Sequence, residues 1–92
     1  MNQKEEKLAE IRKDLKKFIV TGLSLEGVNP EDIKDDTVLF GQGLGLDSLD
    51  AVEIVVLLQR NWKVDVKDMN EGKKAFYSID TLANYIYDNI KK

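Results

Sequence analysis

The sequence predicts an all-α fold, a small four-helix bundle with a long loop between its first and second helices. Apolar residues recur at spacings of three and four in three separate segments, the period of a helix face. No segment alternates apolar and polar residues between hairpin turn signals, although VVLL at 55–58 has the propensity of a strand. Glycines break the chain between the first two apolar segments. At 92 residues the chain supports one modest core, so residues 1–92 are expected to fold as a single domain.

The first helix is expected over residues 3–21, where Leu8, Ile11, Leu15, Phe18 and Ile19 form an apolar stripe among lysines and glutamates. Gly22, Gly27, Asn29 and Pro30 end it, and Pro30 with Glu31 and Asp32 can begin a short helical turn, because proline is tolerated at a first helical position. The loop over residues 36–45 is long for so small a domain, and long ordered loops are often functional. Its Gly41, Gly43 and Gly45 are each free to take positive φ.

The second helix, residues 48–61, is apolar over more than one face: Leu49, Val52, Ile54, Val55, Val56, Leu57 and Leu58 cannot all point inward. Leu49 and Val56, seven residues apart and nearly aligned, are the candidates for exposed contacts, although a helix buried on several sides would also explain Val56. After Trp62, Val64 and Val66 the periodicity weakens, and Met69, Gly72, Lys73 and Lys74 allow only a short helix or an irregular turn. Ser78 can cap a last helix whose inward stripe is Ile79, Leu82, Ala83, Ile86 and Ile90.

The net charge of −3 conceals an asymmetry. Residues 1–20 carry a net of +2, residues 21–53 a net of −7, and residues 54–92 again +2. The acid would steer basic surfaces toward the start of the second helix and repel nucleic acid there, although Asp35 and Asp36 can equally serve as turn and cap residues. With no cysteine and no histidine, disulfides, thiolate metal sites and a Ser-His triad are excluded. The acidic cluster at 31–36 lacks the ligand spacing of a calcium loop, and no set of residues assembles a nucleophile, a base and an orienting group, so an enzyme is not expected. No apolar run approaches the roughly twenty residues of a membrane span, and the first residues are charged, which predicts a cytoplasmic protein.

Residues 40–53 read FGQGLGLDSLDAVE. Asp47 offers an acceptor to the free amides of the second helix, so Ser48 stands at or just inside a helix N-terminus, where backbone N–H groups and the helix dipole favour a phosphoryl group on its hydroxyl. A plain helix cap is the simpler meaning of an Asp-Ser pair. The surrounding residues Gly45, Leu46, Asp47, Ser48, Leu49, Asp50, Val52 and Glu53, however, resemble position by position the attachment motif of the acyl carrier proteins. The similarity extends upstream through Leu39 and Phe40 to the first helix, and downstream to Trp62, Val66, Phe76, Ile79, Leu82, Tyr85 and Ile86, which fall at the family's apolar positions.

This resemblance implies a four-helix bundle of the acyl-carrier type in which Ser48 carries a covalent 4′-phosphopantetheine arm. The arm would come from coenzyme A through a separate Mg²⁺-dependent phosphopantetheinyl transferase (holo-acyl-carrier-protein synthase). It also implies that Asp47, Leu49, Asp50, Glu53 and Val56 contact partners: that transferase, and the acyl-transferring, ketosynthase and related enzymes of fatty-acid or polyketide pathways. A monomer without catalytic residues of its own is implied. Val55, Leu58, Trp62, Val66 and Phe76 can either shelter an acyl chain or pack as ordinary core. Trp62 stands where the family usually has phenylalanine, and its larger ring would restrict the acyl groups accommodated. Gln59, Arg60 and Asn61 depart from the acidic residues of housekeeping fatty-acid carriers, and the stretch around Ser48 looks more like discrete carriers of specialised pathways. An aminoacyl or peptidyl carrier using the same serine, and an unmodified helical interaction module, are the alternatives.

Overall fold

A computed structural model describes residues 3–41, 43–66 and 74–90. Its elements are α1 (Gln3–Gly22), a 3₁₀ turn (Pro30–Asp32), α2 (Ser48–Trp62) and α3 (Ile79–Ile90), in the order and with the long α1–α2 loop that the sequence predicts. The short helix or turn expected around Met69 lies outside the described residues, although residues 74–75 are helical.

The spacing of Leu8, Ile11, Leu15 and Ile19 puts one side of α1 in the core, where it packs against α3 and, less extensively, against α2. Gly22 lets the end of α1 approach α2, because a Cβ there would lie 2.9 Å from a Leu57 methyl. Ile79, Leu82, Ala83 and Ile86 supply the inward stripe of α3, as expected, and Ile54 and Leu58 that of α2. α2 ends on Lys63, which takes the left-handed conformation (φ 58°) and donates its amide to the Gln59 carbonyl at 3.0 Å.

The loop is stitched down at both of its neighbours. Toward α3, Leu39 donates to the Tyr77 carbonyl at 3.0 Å, Ile79 to Thr37 at 3.1 Å and Asp80 to Asp35 at 2.8 Å. Within the loop, Leu44 donates to Val38 at 2.9 Å and Leu46 to Leu39 at 3.2 Å. Ile33, Leu39 and Leu46 are buried in the same core cluster as the helices. The loop therefore forms one short network of backbone hydrogen bonds joining the start of α3 to the start of α2.

Candidate functional site

Three glycines shape the approach to α2, and they do so differently. Gly41 and Gly45 take positive φ, 66° and 73°, as the sequence predicts. Gly43 is not among the positive-φ residues, and its lack of a side chain serves close packing instead: a Cβ there would overlap the Val38 carbonyl oxygen, the acceptor of the Leu44 amide.

Asp47 is the N-cap of α2. Its side chain accepts from the amides of Leu49 at 3.0 Å and Asp50 at 3.1 Å, and the Asp50 carboxylate accepts in return from the Asp47 amide at 3.0 Å. This reciprocal capping box satisfies the amides of Asp47, Leu49 and Asp50 without the Ser48 side chain. Ser48 is the first helical residue, exposed, and among the described residues neither its hydroxyl nor its amide has a hydrogen-bond partner. Of the Asp-Ser pair, Asp47 makes the cap, as its acceptor position predicts, and the Ser48 side chain takes no part in it.

The other residues singled out in the sequence follow Ser48 along α2. Leu49 is 76% exposed, Glu53 is exposed and Val56 is 37% exposed, while Asp50 is half-buried by its capping duty. Val52, at 58% exposure, joins Leu49 and Val56. The pattern that could have found it was present, since Val52 lies three residues after Leu49 and four before Val56. Tyr77, 60% exposed just before α3, had no signal of that kind.

Part of the acidic segment is spent elsewhere. Asp35 faces α1, where Lys16 Nζ approaches it at 2.8 Å and Arg12 Nε at 3.5 Å, and Arg12 also reaches Asp80 at 3.4 Å. The Lys16 hydrogen bond, with the charges of Lys16 and Arg12, holds the Asp35 carboxyl below its ordinary value against the opposing effect of burial. Asp35 therefore fastens the loop and contributes little to a field around Ser48.

Val55, Leu58, Trp62, Val66 and Phe76 all belong to the core cluster or pack against it. Trp62 meets Phe18 of α1 edge-on, with ring centroids 5.5 Å apart. The groove beside α1, lined by Arg12, Lys13 and Lys16, and the one beside the start of α3, lined by Asp80, Asn84 and Tyr85, do not border Ser48. Among the described residues no helix is long and apolar enough to cross a membrane.

Residues 23–86 match the family model described as "Phosphopantetheine attachment site". The chain is 34% identical over 76 residues to an acyl carrier protein of Wolinella succinogenes, covering 83% of this chain and 92% of the relative. Identity to an acyl carrier protein of a Cylindrotheca species is 31% over 85 residues, covering 92% and 99%. Identity to one of Campylobacter jejuni is 33% over 79 residues, covering 86% and 94%.

Proposed function

The chain belongs to the acyl carrier proteins, a non-catalytic family of phosphopantetheine carriers, and on that premise we propose that Ser48 is the residue that takes the 4′-phosphopantetheine arm. The observation that carries this reading is the division of labour at the start of α2. Asp47 and Asp50 cap the helix, so the Ser48 hydroxyl is exposed and free to react. The site also fits a phosphodiester, because the Ser48 amide, unpaired among the described residues, and the positive end of the α2 dipole favour negative charge there.

The arm supplies a thiol, which the chain itself lacks. Attachment requires Ser48 Oγ to lose its proton and bond to the coenzyme A phosphorus that bears pantetheine, as the pyrophosphate P–O bond breaks and adenosine 3′,5′-bisphosphate leaves; a separate transferase would provide the base and the Mg²⁺. The protein's part is to hold Ser48 in place and present a surface. Asp47, Asp50 and Glu53 would meet basic groups, and Leu49, Val52 and Val56 apolar ones, on enzymes of a fatty-acid, polyketide or related pathway. Each exposed ion pair contributes roughly 0.2 to 1 kcal/mol, which suits a carrier that must leave one enzyme for the next. Residues 1–92 act together as one monomeric carrier domain in the cytoplasm; the single domain is supported by α1, which lies wholly before the matched region yet packs into the same core as α2 and α3.

Intact mass after incubation with coenzyme A, Mg²⁺ and a broad-specificity phosphopantetheinyl transferase tests the proposal. One phosphopantetheine increment is expected. Folded protein that gains no mass would contradict it and leave α2 as the docking helix of an unmodified interaction module.

A further inference from the structure

The groove beside α1 offers about 390 Å³ between that helix and the 3₁₀ turn, and Arg12, Lys13, Lys16 and Lys17 all line it. Against them stand two carboxylates, Asp35 and Glu31. Asp35 is engaged by Lys16 and Arg12, whose side chains are only 16% and 17% exposed, and Arg12 also holds Asp80. Lys13 and Lys17 are exposed, and neither they nor Glu31 form an ion pair among the described residues. Two ordinary uses of such lysines fail here. Neither lies in the last turn of α1, where a cation would complement the helix dipole. In a chain of net charge −3 they also bring the total nearer zero, which works against solubility. Their placing has a cost instead: Arg12 with Lys16, and Lys13 with Lys17, are like charges four residues apart on one helix, a spacing at which they repel.

We propose that this groove binds a small phosphate monoester with a hydroxylated organic part. A phosphate monoester carries about −1.5 to −2 charge at neutral pH and offers three acceptor oxygens, so it can meet Lys13 and Lys17 together and relieve their repulsion. A simple carboxylate would bring one charge and one fork, which Asp35 already supplies to the groove. On the side of the turn, Glu31 and the side-chain nitrogen of Asn29 have no partner among the described residues, while the Asn29 side-chain oxygen accepts from the Glu31 amide at 3.1 Å. The Glu31 carboxylate would repel a phosphate and suits hydroxyl donors, which sets the organic part against the turn and the phosphate against α1. Ala9 and Pro30 add small apolar lining. The groove does not border Ser48, and its occupancy is independent of the arm.

NMR titration of the full chain with glycerol 3-phosphate, inorganic phosphate and glycerol tests the proposal. Saturable shifts at residues 9–17 and 29–31 are expected with both phosphates and none with glycerol, and glycerol 3-phosphate should bind the tighter by about three-fold, the order of one further hydrogen bond. Lys13→Gln/Lys17→Gln should weaken glycerol 3-phosphate by about five-fold, whereas Lys7→Gln/Arg60→Gln, equal in charge but outside the groove, should stay within about two-fold of wild type. Glu31→Ala should abolish the preference for glycerol 3-phosphate over inorganic phosphate. The absence of a saturable shift, or equal weakening in the two double variants, overturns the site, and a preference that survives Glu31→Ala overturns the hydroxylated ligand. Vesicles of equal parts phosphatidylcholine and phosphatidic acid that shift residues 9–17 where glycerol 3-phosphate does not would make this face a lipid contact and overturn the small-molecule site.

Discussion

Ser78, just before α3, and Ser48, at the start of α2, bring the same hydroxyl to the same kind of place and meet different neighbours. Ser78 is buried. Its hydroxyl accepts from the Thr81 amide at 3.3 Å, and Thr81 Oγ1 accepts from the Ser78 amide at 2.9 Å while donating to the Ala75 carbonyl at 2.8 Å. Ser48 is exposed and its hydroxyl is unpartnered among the described residues. The difference is set one residue upstream. Tyr77 cannot cap α3, so Ser78 must, whereas Asp47 caps α2 and displaces Ser48 one position into the helix. Here the serine whose hydroxyl stays exposed is the one whose neighbour has taken the capping role.

The largest way to break the comparison is through the loop that positions one of the two serines. In Gly43→Ala the new Cβ meets the backbone of Val38, which cannot yield as a side chain would, and stability should fall by about 3 kcal/mol. Amide exchange should then accelerate at Leu44 and Leu46 before it does at Leu82. Equal loss of protection at all three would show that the loop and α3 do not separate.

Removing each cap should have a smaller and similar effect. Asp47→Ala and Ser78→Ala should each lower unfolding stability by about 1 kcal/mol in denaturant melts. A loss in Asp47→Ala much smaller than in Ser78→Ala would mean that Ser48 can take over the cap, and the distinction between the two serines would weaken.

The smallest effect is electrostatic. The Asp35 carboxyl is held below its ordinary value of 3.8, so its contribution to stability is fully present above that pH and is lost as the pH falls through the lower folded value. Protonation releases Lys16 and Arg12 from the loop. Asp35→Asn should flatten this part of the acid unfolding curve while changing little at neutral pH, because the Asp35 side chain is 57% exposed and its ion pairs are screened. An acid limb identical to wild type would mean that the loop is fastened by its backbone hydrogen bonds alone.

Much of this was legible in the sequence because helices announce themselves through local spacing. The stripes of α1 and α3 follow from residues three or four apart, the Pro30 turn from a proline at a first helical position, and the start of α2 from Asp47 as its cap. The surroundings of Ser48 were legible for the same reason, since the capping box spans only residues 47–50. What was not legible depends on partners distant in the chain. The backbone pairing of Val38 with Ser78, the space that Gly43 leaves for Val38, and the attachment of Asp35 to α1 have no local period. Val52 falls between these cases: the breadth of the apolar pattern on α2 showed that some residues must be exposed, but only packing decides which.

The central claim is that capping and acceptance are separate tasks on adjacent residues, and Ser48→Ala tests both in one protein. Thermal unfolding and intact mass after incubation with coenzyme A, Mg²⁺ and the transferase should be measured on the same preparation. Stability should stay within about 0.5 kcal/mol of wild type while the phosphopantetheine increment disappears. A clear loss of stability would show that Ser48 is part of the cap, and a mass increment that survives the substitution would place the acceptor elsewhere.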